Sequence, residues 1–391
     1  MNLNIDNIYH LITICLALLF SMYLFFNKTK ERLGNIFLGY FILDFALESF
    51  DVLLSKTSFY TEHPNFYLII PAFAFLIYPS WFFYIKTTAF KDYKLRKVDL
   101  LHLIPFIAIT IIFLFSYHLQ PDEIKLEIRT NPYNTPLFVS FIYYLLRIQG
   151  IVYGIWSIKI VYRFKKIVNE NYSNINDKNY KWILQLTIVF VYFILTALVY
   201  NIFKFGFKEL YEEQNIHHHI SSIITLIFLS WIVYKGMSQP YLFNGVDSNI
   251  KLLEEYLKEK KGEEKKSKSN EITTQDSALK DKIEEYVITN KIYTNSSITL
   301  FELANGLGMS SYELSLFLNK TLNKNFFDYI NEFRIKNAME ILQNPDKKNL
   351  TILEILYEVG FNSKSSFNTA FKKFTKQTPT QYRENTLKSR S

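Results

Sequence analysis

The sequence lacks several features that would place it among well-defined classes of enzyme. Cys15 is the one cysteine in 391 residues, so no disulfide can form within the chain. The H-E-x-x-H pattern of zinc proteases, the G-x-S-x-G turn of serine hydrolases, the phosphate-binding P-loop and the protein-kinase signatures are all absent. We therefore predict a protein that is not an enzyme, with no catalytic residue, no cofactor and no metal.

Charge is also scarce, and its scarcity is confined to the first part of the chain. Charged residues make up 20% of the sequence, whereas hydrophobic residues make up 49% and aromatic residues 17%. A helix of about 20 apolar residues crosses a bilayer, because it satisfies its own backbone hydrogen bonds. Stretches of this kind cover 8–26, 34–54, 66–86, 100–117, 136–162, 182–203 and 217–235. We predict a seven-helix transmembrane bundle over residues 1–235.

The loops between these predicted spans differ in basic charge. Fourteen Lys and Arg residues lie in the loops or at the adjoining span ends on one side, and five on the other. Basic residues are enriched in cytoplasmic loops, so the more basic side is assigned to the cytoplasm. This predicts a multi-pass protein of the cell (inner) membrane, with its N-terminus outside and all residues after Lys235 in the cytoplasm.

Acidic residues interrupt the second predicted span. Asp44, Glu48 and Asp51 follow a spacing of four and three residues, which places them on one face of a helix. Arg147 lies at a similar depth in the fifth predicted span. Charges inside a membrane are costly and usually mark function. The pattern predicts an ion pair or a polar cavity for a small-molecule ligand or a proton, and a purely structural pair is an equal alternative.

The remainder of the chain reads as a linker, 236–275, followed by a helical domain, 276–391. The domain contains a repeat offset by 52 residues, ITLFELANGLG at 298–308 and LTILEILYEVG at 350–360. Each copy begins with a Thr-x-x-Glu capping box and ends in glycine. The pairs are Thr299 with Glu302 and Thr351 with Glu354, and the glycines are Gly308 and Gly360. A short helix, a glycine turn and a second helix form a helix-turn-helix unit, so two units are predicted.

The second helix of each unit has its own start signal. Ser310 with Glu313 forms a further capping box, and Ser363 is a predicted N-cap. Residues 326–344 carry apolar side chains at helical spacing and would connect the two units. On the helix after Ser363, the predicted inward stripe is Phe367, Ala370, Phe371 and Phe374.

Basic charge is concentrated on this second unit. Residues 359–391 hold seven Lys and Arg residues and one acidic residue, Glu384. Basic groups neutralise phosphates, and amide and hydroxyl groups contact bases. The pattern favours binding of double-stranded DNA over the alternative of a core helix with a solvated face.

Taken together, the C-terminal residues resemble the AraC/XylS family of bacterial transcription regulators. The resemblance covers roughly the last 110 residues and rests on Ala304, Gly308, Ser310, Leu314, Ser315, Tyr329, Arg334, Ala338, Gly360, Phe361, Phe367, Phe371, Lys372, Pro379, Tyr382 and Arg383. It implies two recognition helices in successive major grooves of DNA.

The resemblance also implies roles for individual side chains. Base contacts are implied for Tyr312, Ser315, Asn319, Lys364, Ser365, Asn368 and Thr369, and phosphate contacts for Lys372, Lys373 and Arg383. Leu316 and Thr369 stand where the family often has arginine. Because Leu316 belongs to the first unit, the resemblance implies weaker base reading by that unit.

These observations predict an all-α protein that couples a membrane or extracellular signal to promoter binding. An intramembrane enzyme or a transporter with a regulatory tail is the alternative. The expected partners are double-stranded DNA, membrane lipid, an unknown small molecule, a second copy of the chain and RNA polymerase. The signal could act through dimerisation or through proteolysis near 255–275, and the sequence does not choose between them.

Overall fold

The computed structural model describes residues 5–27, 32–130, 137–173, 177–206, 215–238, 246, 252 and 274–388. These residues are helical or lie in turns, with two isolated β-bridges and no strand among them. The chain divides into two compact units. Residues Met1–Val161 and Lys181–Asp247 form unit 1, and residues Tyr162–Tyr180 and Ser248–Ser391 form unit 2. The predicted linker 236–275 lies mostly outside the described residues.

Long apolar helices build unit 1. They are α1 Ile5–Phe26, α2 Arg32–Ser55, α3 Phe59–Glu62, α4 Ile69–Ala89, α5 Ile104–Phe113, α6 Asp122–Thr130, α7 Leu137–Asn171, α8 Asp177–Gly206 and α9 Asn215–Ser238. Helix α7 ends, and helix α8 begins, within the segment Tyr162–Tyr180 of unit 2.

Five helical segments in the described part of the chain are long and apolar enough to cross a membrane. They are Asn7–Phe26, Pro64–Ala89, Lys97–His118, Phe141–Asn171 and Tyr180–Ile202. The segment Ser221–Gly236 is apolar but shorter. Helix α2, the second predicted span, is not among the five, and it carries the three acidic residues noted above. The seven predicted stretches are helical over most of their described residues, and five helical segments meet the length and composition of a span.

Aromatic side chains form much of the interior of unit 1. Trp81 is fully buried and stacks on Phe190 with ring centroids 4.5 Å apart. The Trp182 indole Nε1 donates a hydrogen bond of 2.8 Å to the Tyr84 hydroxyl, which satisfies two buried polar groups at once. These contacts join α4 to α8, two elements distant in the sequence.

Shorter helices build the described C-terminal part of unit 2. They are α10 Thr274–Thr289, α11 Leu300–Gly306, α12 Ser311–Leu316, α13 Phe326–Gln343, α14 Ile352–Glu358, α15 Lys364–Thr375 and α16 Pro379–Lys388.

The predicted helix starts of the two repeats are confirmed. Thr299 and Glu302 close a reciprocal capping box at α11, and Thr351 and Glu354 close the same box at α14. Ser310 and Glu313 do so at α12, and the Ser363 hydroxyl accepts from the Ser366 amide at α15. Gly308 has φ +71° and Gly360 has φ +93°, the left-handed conformation predicted for both turns.

Helix α13 connects two hydrophobic cores. Its first half contributes Phe326 and Ile330 to a core shared with α10, α11 and α12. Its second half contributes Ala338 and Ile341 to a core shared with α14 and α15. Because one continuous helix belongs to both cores, the two helix-turn-helix units are joined rigidly.

One feature of unit 2 differs from the sequence-based prediction. Phe374 was assigned to the inward stripe of α15, which is wrong, because the side chain is 38% exposed whereas Phe367 and Phe371 are fully buried. Phe374 lies in the last turn of α15, where the helix passes the edge of the core. Helix α12 is short and is followed by a π-helical turn at Phe317–Thr321.

Candidate functional site

The outer face of α15 presents polar and basic side chains from a fixed backbone. Lys364, Ser365, Thr369 and Lys372 are exposed, and Asn368 is half-buried beside them. The opposite face is held by the buried rings of Phe367 and Phe371. Helix α15 therefore combines hydroxyl, amide and ammonium groups on one surface while its other surface is fixed in the core.

Two of the predicted phosphate-binding residues of this unit have structural partners. Lys373 Nζ lies 2.5 Å from Asp328 Oδ1 on α13. Arg383 Nη2 donates to the Leu350 carbonyl at 2.7 Å, at the start of the second repeat. Lys372 is exposed and forms no ion pair within the described residues. Among the three, Lys372 is the one whose charge is available to a phosphate without breaking a contact.

The first helix-turn-helix unit offers a less suitable surface for DNA contacts than the second. Ser315 on α12 is only 6% exposed, so it has little surface to offer a base. Its carbonyl accepts a hydrogen bond of 2.9 Å from Asn319 Nδ2. Tyr312 and Asn319 are half-buried, and Glu313 places an acidic group in the first turn of α12. Tyr312 and Asn319 therefore keep some accessible surface, whereas the burial of Ser315 does not support a base contact from its side chain.

Comparison with known proteins provides a second line of evidence about this domain. The helix-turn-helix domain family matches residues 303–385, which include α12, α13, α14 and α15. This part of the chain is an AraC-type helix-turn-helix domain.

Similar proteins are named as transcription regulators. An uncharacterised HTH-type transcriptional regulator of Staphylococcus aureus strain COL is 34% identical over 103 residues, covering 26% of this chain and 13% of that protein. The uncharacterised HTH-type transcriptional regulator YdeC of Bacillus subtilis is 32% identical over 87 residues, covering 22% of this chain and 29% of that protein. The Msm operon regulatory protein of Streptococcus mutans is 32% identical over 89 residues, covering 23% and 31% of the two chains.

The alignments with these relatives therefore cover less than a third of each relative's length. No solved structure matches the chain. The shared names agree with the prediction of a regulator rather than an enzyme.

Arg334 has a structural role in the helix-turn-helix domain that its sequence context does not reveal. Arg334 on α13 is fully buried, and its guanidinium donates to the carbonyls of Tyr293 at 2.7 Å, Asn295 at 2.9 Å and Ser173 at 2.9 Å. Burial lowers the pKa of Arg334 to about 10, so the group stays charged at neutral pH. Helix α13 carries several other charged residues, so the burial of Arg334 and its hydrogen-bond partners could not be read from the sequence.

Ser173 belongs to the segment that follows α7. Its hydroxyl accepts a second Arg334 hydrogen bond at 2.9 Å, and its amide donates to the Ile298 carbonyl at 3.2 Å. The adjacent Tyr172 forms a β-bridge with Thr299, the N-cap of α11. Tyr172 and Ser173, which lie between the fifth and sixth predicted spans, are therefore bonded directly into unit 2.

The four charged residues predicted from the spans come together in unit 1. Asp44, Glu48, Asp51 and Arg147 all line one cavity of about 320 Å³. Arg147 Nη1 donates to the Tyr78 hydroxyl at 3.0 Å. Within the described residues no carboxylate oxygen lies within salt-bridge distance of Arg147. Of the predicted alternatives, a polar cavity is therefore closer to the observed geometry than a direct ion pair.

Proposed function

We propose that this chain is a membrane-bound transcription regulator whose C-terminal domain binds promoter DNA in the cytoplasm. The observation that carries the proposal is the exposed polar and basic face of α15 within an AraC-type helix-turn-helix domain. Base contacts are assigned to Asn368, Ser365 and Thr369, and a phosphate contact to Lys372. Weaker base contacts are assigned to Tyr312 and Asn319 of the first unit.

Membrane attachment is the second part of the proposal. Five helical segments with the length and composition of spans support it, and α2 and α9 would complete a seven-helix bundle. The N-terminus then lies outside and unit 2 in the cytoplasm, as the distribution of basic residues predicts.

The contact between Arg334 and Ser173 suggests how the two functions are linked. Helix α7 begins in unit 1 and ends at Asn171, two residues before Ser173. A shift of α7 along or about its axis would change the hydrogen bonds of Arg334, because that guanidinium donates both to Ser173 and to the carbonyls that precede α11. A signal received by the helices of unit 1 would in this way bias the arrangement of the first helix-turn-helix unit. Pairing of two copies and contact with RNA polymerase are further expected consequences on a promoter.

Chromatin immunoprecipitation of the full-length tagged protein tests the proposal. The doubly substituted variant Asn368→Ala, Lys372→Ala is the comparison, and Lys280→Ala on α10 is the control for loss of an exposed lysine elsewhere. Discrete promoter peaks for the unsubstituted protein and the control, lost in the double variant at equal abundance, are expected. Peaks that persist in the double variant would refute the assignment of α15 as the DNA-reading helix.

A further inference from the structure

The cavity of about 320 Å³ in unit 1 has the size and the lining of a ligand site. Apolar side chains that include Phe75, Phe113 and Leu146 form part of its wall, and the charged groups form another part. We propose that this cavity binds a small organic cation, namely a primary amine on an apolar body. The inference rests on the proposed function, because the amine would be the signal that the regulator senses.

An unpartnered buried carboxyl oxygen points to a ligand rather than to a structural cluster. Asp44 is only 4% exposed, and its Oδ2 has no hydrogen-bond partner among the described residues. A buried, unpaired carboxylate oxygen is costly unless something binds it. Glu48 one turn further along α2 is exposed and lines the same cavity, so its carboxylate is accessible to a bound molecule.

The balance of charge selects a cation over an anion. Three carboxyl groups line the cavity, together with one guanidinium, Arg147, and one imidazole, His10. Arg147 is already engaged with the Tyr78 hydroxyl, and Asp51 accepts from the Tyr60 hydroxyl. Asp44 and Glu48 are left as the acceptors for an ammonium group. The described residues contain no group of three or more His, Cys, Asp or Glu arranged to hold a metal ion, so an organic cation fits better than a metal.

The position of the cavity suggests the side from which the amine arrives. Its lining comes from the beginning of α1, α4, α7 and α9 and from the end of α2. In the proposed topology these are the helix ends on the outer side of the membrane. The site therefore faces the outside, and Arg147 belongs to α7, the helix that ends next to Ser173.

Equilibrium binding to the full-length protein in lipid nanodiscs tests the inference. The probes are hexylamine, 2-phenylethylamine and 1,5-diaminopentane, with hexanoate and hexan-1-ol as matched anionic and neutral compounds. We expect saturable binding of at least one amine and none of hexanoate or hexan-1-ol. In Glu48→Gln the Kd should rise about tenfold or more, because a charge-assisted hydrogen bond is lost. Glu62→Gln, which lies outside the cavity lining, should bind like the unsubstituted protein.

Arg147→Gln gives a prediction of opposite sign. Removing this guanidinium reduces repulsion, so amine binding should become several-fold tighter. Absence of amine binding, equal binding of hexan-1-ol, or binding of hexanoate that is lost in Arg147→Gln would each overturn the inference.

Failure of the inference and failure of the proposed function are separable. Promoter occupancy without amine binding would leave the regulator proposal standing and remove the amine. Amine binding that requires Glu48, in a protein that never occupies promoters, would keep the site and refute the regulator.

Discussion

Gly308 and Gly360 occupy equivalent places in the two repeats but have different surroundings. Both adopt positive φ, which the sequence predicted from their position after a short helix. A Cβ at Gly308 would meet nothing within 4 Å, whereas a Cβ at Gly360 would lie 2.5 Å from the Tyr293 carbonyl oxygen and 2.7 Å from that of Thr294. The turn conformation was readable from local sequence, and the close approach at Gly360 was not.

Alanine at these two glycines should therefore have unequal effects. Gly308→Ala should cost only the left-handed backbone penalty of about 1 kcal/mol. Gly360→Ala adds a clash with rigid backbone and should cost about 3 kcal/mol or more. Hydrogen exchange of peptides from α13 and α14 in the full-length protein measures both. Equal effects would contradict the close packing of Gly360 against the segment 292–294.

Arg334 should be the least replaceable residue of α13. Arg334→Lys loses the planar fork and leaves buried carbonyls unpaired, at a cost of about 3 kcal/mol. Ser173→Ala removes one hydrogen bond and should cost about 1 kcal/mol. Hydrogen exchange of the peptide containing Thr299 reports the change, with Ser277→Ala, an exposed hydroxyl on α10, as the near-neutral control. No change in Ser173→Ala would argue that the segment after α7 does not restrain the first unit.

At the scale of elements, local rules predicted far more than long-range ones. The capping boxes, the glycine turns and the connecting helix α13 follow from residues three or four apart, so the sequence was sufficient for them. The hydrogen bond between Arg334 and Ser173 joins residues far apart in the sequence. No periodicity within a window of sequence carries that information.

Helix α15 should carry two separable contributions to DNA binding. Asn368→Ala should cost about 1–3 kcal/mol and relax sequence preference, because an amide that reads a base edge is lost. Lys372→Ala should weaken binding to all sequences alike and lower the salt slope by about one ion. Titration of promoter DNA with the full-length protein at several salt concentrations distinguishes them. A change in sequence preference in Lys372→Ala alone would reverse these assignments.

The start of α14 should be sensitive to acid. Hydrogen bonds from the Thr351 amide and hydroxyl hold the pKa of Glu354 below its usual range. Such a carboxylate stabilises the helix at pH above its unfolded pKa of about 4.3, and the contribution is lost as pH falls through the lower folded value. Protection of residues 350–360 from hydrogen exchange should therefore decrease below about pH 4. In Glu354→Gln, the protection of these residues should be lower at neutral pH and should change less with pH. A pH dependence of protection identical to that of the unsubstituted protein would contradict the capping contribution.

At the scale of the whole molecule, the proposed topology can be tested by accessibility. In a Cys15→Ala background, Ser58→Cys should react with a membrane-impermeant maleimide in intact cells, because its loop is assigned to the outside. Lys94→Cys should react only after the cells are opened. The reverse pattern would invert the topology and place the cavity lining on the cytoplasmic side.

The central claim is that one intact chain is in the membrane and on a promoter at the same time. Flotation of crosslinked, sheared cell lysate in a density gradient measures this directly, with the tagged chain followed by blotting and promoter DNA by quantitative amplification. We predict that full-length protein and its promoter DNA rise together with the lipid, and that the DNA stays behind in the Asn368→Ala, Lys372→Ala variant. Promoter DNA found only in the dense fractions, bound to a shorter soluble fragment, would contradict the account.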